Sequence, residues 1–170
     1  INISKGFTRC TEELEGKDLS LSSSLDMLGR ILLMEIGGAM GPLYGTFFLE
    51  IAKASKDTDV IDKDIFGKML GAGLEGIRKI GGAKLGDKTL LDTLIPAVEA
   101  YNKAKEQGFR VALEEMKTAA EKGKESTRDM VAKVGRASRL GERSRGHLDA
   151  GATSCWLILK SFADSISAVI

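Results

Sequence analysis

Net charge is nearly absent from these 170 residues: 25 Lys and Arg against 24 Asp and Glu leave a formal +1. That balance argues against a general nucleic-acid binder, whose electrostatic footprint is a basic excess, while leaving room for a local anion site. Cysteine is scarce too. Cys10 and Cys155 stand far apart in no metal or redox motif, and Cys155, inside an apolar run, reads as a buried thiol rather than half of a disulfide. Only two prolines occur, β-branched residues are sparse and strand-like alternation is missing, so a sheet protein is excluded. No apolar stretch reaches the roughly 20 residues that span a bilayer, and no signal peptide opens the chain. These absences point to a cytoplasmic protein with neither a membrane nor a nucleic acid as partner. What is present, 43% hydrophobic and 29% charged residues, suffices for the core of one domain over residues 1–170.

Helical periodicity dominates. Leu25, Leu28, Leu32 and Ile36 share a face; Leu43, Phe47 and Ile51 continue the pattern. Phe66, Met69, Leu70, Leu74 and Ile77 form a third stripe, and Leu91, Leu94, Ile95, Val98 and Tyr101 a fourth. Residues 111–130 are a paler fifth segment, and Trp156 to Val169 the last. Each stripe has the three-to-four-residue spacing of a half-buried helix. The expected fold is all-α, an antiparallel bundle of about seven to eight helices with short connections. Ser22 to Ser24 are expected to cap the Leu25 helix, Asp62 or Asp64 the Phe66 helix and Asp87 the Leu91 helix. Pro42 suits a first helical turn, whereas Pro96 lies inside its helix and should cost it a hydrogen bond.

Glycine is abundant instead, 20 residues against the usual level of about 7%, and it gathers between the periodic segments. In GGAMGPLYGTFF (37–48) the glycines serve either tight helix packing or close approach of a ligand to a helix N-terminus. GGAKLGDKTLLD (81–92) nearly fits a P-loop, but the spacing is wrong by one residue, Asp87, and no strand precedes it. A glycine-rich loop feeding a helix remains. GRASRLGERSRGHLDAGATS (135–154) concentrates four arginines and the only histidine before an apolar helix. Arginine forks match phosphate oxygens; alternatively Arg139, Arg143 and Arg145 form a solvated face paired with Glu142. His147 reads as a structural group, because no acid stands at orienting spacing.

Together GGAMGPLYGTFF, GDKTLLDTLIPAVEA and GRASRLGERSRGHLDAGATS resemble, in order and over nearly the whole chain, the nucleotide-binding L subunit of bacterial phosphotransferase-system-dependent dihydroxyacetone kinase. The resemblance implies a barrel of antiparallel helices holding ADP/ATP as a bound coenzyme, with Mg²⁺, in the loops at one end. It further implies two partners. A phosphohistidine M subunit rephosphorylates the bound ADP, and a K subunit carries covalently held dihydroxyacetone, which receives the γ-phosphoryl group. By the same resemblance the nucleotide contacts fall at Asn2, Ala39, Met40, Gly81, Leu90, Arg136, Asp149, Ala150 and Gly151. Leu90 stands where an adenine-contacting methionine is common, Met40 where some members have serine, and Ala150 where the family has proline. Arg136 is implied as the charge that stabilises the transferring phosphoryl group.

The family's magnesium aspartates lie in a Gly-Asp-x-Asp-His-Gly-x-Asn block of which Ile1-Asn2 match only the end. The chain is therefore expected to lack its N-terminal helix and acidic metal loop, with no metal ligand of its own and the Mg²⁺ ligands upstream of Ile1. Three other readings stay open: an L-type domain of an ATP-dependent dihydroxyacetone (glycerone) kinase, an acyl or fatty-acid kinase domain on the same scaffold, and a non-enzymatic helical interaction module.

Overall fold

A computed structural model describes the backbone from Asn2 to Ile170 and the side chains from Ile3 onward. The described residues contain no strand. Seven α-helices follow one another: α1 (Asn2–Leu14), α2 (Leu21–Glu35), α3 (Met40–Ala54), α4 (Lys63–Ile80), α5 (Leu91–Ala104), α6 (Phe109–Ser126) and α7 (Ala150–Ser167). Short 3₁₀ turns cover Lys105–Gln107, Thr127–Asp129 and Arg136–Ser144. The all-α expectation is met. The chain divides into two compact units, Ile1–Gly82 and Ala83–Ile170.

In the first unit α1 packs on α2, α2 on α3 and α3 on α4. The expected stripes supply its core: Leu32, Phe47, Ile51, Phe66, Met69 and Leu70 are all buried, with Tyr44 and Phe48 beside them. Phe48 sits edge-on to both Phe7 (centroids 5.7 Å apart) and Phe47 (5.3 Å), the arrangement that ring quadrupoles favour. α2 and α3 approach so closely that a Cβ on Gly45 would lie 2.8 Å from the Leu33 Cβ and 2.9 Å from its Cα. Gly45 thus serves packing. The cap of α2 is Ser20, one turn earlier than expected: its Oγ accepts the Ser23 amide at 3.1 Å. Ser22 is drawn away instead, donating to the Ala52 carbonyl at 2.8 Å. Asp62 caps α4 by accepting the Asp64 and Ile65 amides at 2.9 and 2.8 Å.

In the second unit α5 packs on α6 and α7, and α6 on α7. Leu94, Ala97, Tyr101, Leu113, Met116, Ala120, Leu159 and Ala163 are fully buried here. Pro96 lies inside α5 as expected. Lacking an N–H, it leaves the Asp92 carbonyl without its helical donor, and α6 passes against that carbonyl. A Cβ on Gly123 would stand 2.3 Å from the Asp92 oxygen. No helix among the described residues is long and apolar enough to cross a membrane.

Candidate functional site

The loops of the second unit form a knot whose centre is Lys88. The turn before α5 is organised by Asp92, in the first turn of that helix. One carboxylate oxygen accepts the Gly86 amide at 2.5 Å, and the other the Thr89 amide at 2.7 Å. Asp87, expected to cap α5, caps the preceding turn instead, accepting the Lys84 amide at 2.7 Å. Between them Lys88 has φ +64°, a backbone conformation that costs a side-chain-bearing residue about 1 kcal/mol or more. Its side chain points inward and is 3% exposed. The ammonium donates to the carbonyl of Met130 at 3.1 Å and to that of Ser144.

Two further stretches are tied to this turn. The Lys133 amide donates to the Asp87 carbonyl at 3.1 Å. The Ser144 hydroxyl accepts the Ala132 amide at 2.9 Å and donates to the Gly141 carbonyl at 2.7 Å. The Gly146 amide donates to the Arg128 carbonyl at 2.7 Å, and the Asp149 amide to the Thr127 hydroxyl at 3.0 Å. Asp149 is the N-cap of α7, its carboxylate accepting the Ala152 amide at 2.8 Å. Burial pushes the Asp149 carboxyl above the ordinary carboxylate range. The amides of Ala152 and Gly151 oppose that push, Asp92 adds to it and Lys88 counters it. Thr93 ties the first turn of α5 to that of α7 by donating to the Ala152 carbonyl at 3.1 Å.

Out of this knot stands the arginine segment. Arg136 opens the 3₁₀ turns and is exposed, as are Arg139, Arg143 and His147. No hydrogen bond or ion pair engages the side chain of any of the four among the described residues. Arg145 differs: it pairs with Glu142 at 3.0 Å and donates to the Asp129 carbonyl at 2.6 Å. The expected ion-paired face thus exists for one arginine of the three.

In the first unit the start of α3 has no side-chain cap. Ala39 is exposed and Met40 half-buried. Pro42 occupies the third helical position, so the donors of this first turn are main-chain amides. Gly41 is held by packing, since a Cβ there would lie 2.0 Å from the Ile36 carbonyl oxygen. Gly81 ends α4 with φ −120° and open space around its α-carbon, so neither conformation nor packing requires glycine there.

Of the residues singled out in the sequence, Asp149 and Gly151 belong to the knot, and Arg136 to the segment it anchors. Ala150 is exposed beside them. Leu90 is 3% exposed at the base of the Lys88 turn, its side chain in the core. The Asn2 side chain lies outside the described residues. Lys88, Asp92, Thr127 and Ser144 went unrecognised; the one available signal was a lysine between two aspartates in a loop too irregular for a P-loop. Among the described residues no three of His, Cys, Asp or Glu stand together to hold a metal ion. An open groove of about 400 Å³ runs past Pro96, Glu99, Lys103, Gln107 and Glu115, none of them named for the site.

The described residues define an all-α helical protein whose second unit carries three unpaired arginine side chains, Arg136, Arg139 and Arg143, on an anchored segment. Its family is the DAK2 domain: that family's model matches residues 1–164, and the chain belongs to it. It is 39% identical over 166 residues to the ADP-binding subunit DhaL of the PEP-dependent dihydroxyacetone kinase of Escherichia coli (strain K12), covering 96% of this chain and 79% of that one. It is 34% identical over 176 residues to the ADP-binding subunit DhaL of PEP-dependent dihydroxyacetone kinase 2 of Listeria innocua, covering 100% and 81%. To the L-erythrulose 1-kinase of Mycolicibacterium smegmatis it is 29% identical, over 96% of this chain but 29% of that longer one.

Proposed function

We propose that this chain is the ADP/ATP-holding subunit of a cytoplasmic dihydroxyacetone kinase fed by the phosphotransferase system. The observation that carries the reading is the match, over 96% and 100% of this chain and 79% and 81% of the relatives, to subunits named as ADP-binding within PEP-dependent dihydroxyacetone kinases. In this reading residues 1–170 act as one nucleotide-holding domain. The M subunit's phosphohistidine gives up its N–P bond as a new P–O bond forms on the β-phosphate of bound ADP. The bond between the γ-phosphorus and the β–γ bridging oxygen then breaks as a P–O bond forms to a hydroxyl oxygen of dihydroxyacetone on the K subunit, which leaves ADP in place and releases the hydroxyl proton.

Arg136 serves as the charge on the transferring group. Its exposed guanidinium is free of partners among the described residues, so no existing ion pair must break before phosphate oxygens are met. Charge placed where negative charge develops, on an anchored segment, needs little reorganisation during transfer. The main-chain amides at Ala39 and Met40, the open backbone at Gly81, and Asn2, Leu90, Asp149, Ala150 and Gly151 are assigned to the nucleotide on the resemblance.

Mg²⁺ would neutralise the phosphates. The described carboxylates do not fit such an ion: Asp92 and Asp149 are spent on main-chain amides, and no third acid joins them.

Calorimetry with ADP, with and without Mg²⁺, tests the nucleotide role; absence of binding in both conditions would leave a helical interaction module. Turnover with K and M subunits tests the donor. Sustained turnover on free ATP without an M subunit would instead place the chain with single-chain ATP-dependent kinases. Arg136→Ala is expected to slow transfer by at least about a hundredfold while ADP affinity changes little.

A further inference from the structure

We propose that Lys88 is a positioning residue for Arg136: its buried ammonium closes the neck of the loop that carries the guanidinium. This rests on the role given to Arg136 above.

The segment carrying Arg136 leaves the knot after Met130 and returns at Ser144. Lys88 donates to the carbonyl at both of those points, the first at 3.1 Å. The Ser144 hydroxyl adds a cross-tie just inside the neck, accepting the Ala132 amide and donating to the Gly141 carbonyl. The partners of the ammonium lie 42 and 56 residues from it in sequence, so the clamp exists only in the folded unit.

The turn beneath Lys88 is built to present it. Asp92 fixes the amides on either side, and Lys88 itself is held at φ +64°. Glycine would relieve that conformation. A lysine that accepts the strain and then buries its charge against two main-chain oxygens compensates through what its side chain holds. Because both contacts are carbonyls, the ammonium is committed to acceptors of the fold and is not available as a phosphate ligand of the P-loop kind. Removing it leaves two inward-facing carbonyls without their donor, which favours an open neck. Arg136 then samples many positions, and displacement of a reacting-site charge by about 1 Å can cost about a hundredfold in rate.

The test uses the full chain assembled with its phosphoryl donor and acceptor subunits. Lys88→Met keeps the length of the side chain and removes the charge. Transfer rate, ADP affinity and tryptic cleavage after Lys133, Arg139 and Arg143 are measured for Lys88→Met, Arg136→Ala and the double variant. The expected result for Lys88→Met is about tenfold faster cleavage within the loop but not at sites before Gly82, with transfer slowed at least about tenfold at nearly unchanged ADP affinity. The double variant should be no slower than Arg136→Ala alone, because one residue acts through the other. Multiplying effects would assign Lys88 a contact of its own with the phosphates and overturn the proposal. Unchanged loop cleavage and rate in Lys88→Met, beside a slow Arg136→Ala, would overturn it while leaving the functional reading intact. An unchanged rate in Arg136→Ala sinks the functional reading, and the positioning role with it. Should Lys88→Met not fold, Ser144→Ala loosens the same neck and must show the same selective cleavage and the same non-additivity.

Discussion

Asp149 shows what a single carboxylate can be asked to do. It caps α7 while half-buried, and the desolvation of its charge is only partly offset by the amides it accepts. Asp149→Ala should lower stability by about 1 kcal/mol in urea titration, the usual loss for an N-cap. Asp149→Asn retains an acceptor and should cost much less. The pH dependence has a definite sign. A carboxyl whose folded pKa is raised penalises the fold when ionised, and the penalty fades as pH falls through the folded value toward the ordinary one. The stability of Asp149→Asn relative to the parent should therefore be most favourable near neutrality and decline below it; a pH-independent difference would contradict the assignment. His147 is the opposite case, exposed and without an orienting acceptor among the described residues. His147→Ala should leave stability within about 0.5 kcal/mol and phosphoryl transfer essentially unaltered. Abolished transfer in a folded, assembled variant would restore it as a reacting group.

Helices meet through glycine in both units, and the two uses of glycine separate by position. Gly45 and Gly41 are packing glycines, with other main chain where a Cβ would stand, while Gly81 has open space. Gly123→Ala should destabilise by about 1–3 kcal/mol, because the new methyl meets the Asp92 carbonyl rather than a yielding side chain. Gly71→Ala is the matched control. It lies inside α4 with nothing within 4 Å of the added methyl, and should stabilise by about 0.4–1 kcal/mol. Thermal melts of the pair would show opposite signs. The elements were largely readable beforehand, since each apolar stripe became a helix. Some of their starts were, as with Asp62 on α4, and two were not. Ser20 displaced the expected Ser22 to Ser24, and Asp92 took the turn expected of Asp87. Several residues of similar capping chemistry stand side by side at both places. Which one caps depends on where the chain turns to bury its stripe.

Each compact unit of the molecule carries one buried thiol, Cys10 in the first and Cys155 in the second. Burial pushes both thiols up, Cys10 with help from Glu13, so the reactive thiolate is suppressed in the folded state. Alkylation should be slow for both in native buffer and rapid in denaturant, each cysteine reporting the opening of its own unit. Fast native labelling of Cys155 would contradict its burial. At the surface, Glu125 and Asp164 are held below the ordinary carboxylate range, Glu125 by hydrogen bonds from Lys124 and then Arg128, Asp164 by those from Lys160 and then Lys117. What these groups contribute is present above the unfolded pKa and fades as pH falls through the folded one.

By itself the sequence determined the helical class, the stripes that became the core, the helix-interior proline and the three glycine- and arginine-rich segments in which candidate site residues lie. These are local properties: periodicity and turn chemistry act over a few residues and survive in a linear string. The tertiary structure alone decided that Lys88 faces inward, that Ser144 and Met130 are its partners, that Arg145 is paired while Arg136 is free, and that Gly123 must be glycine. The placing of Lys88 and the need for Gly123 depend on chain segments tens of residues apart arriving at one point, and the identity of a residue does not say which distant carbonyl will be there to receive it.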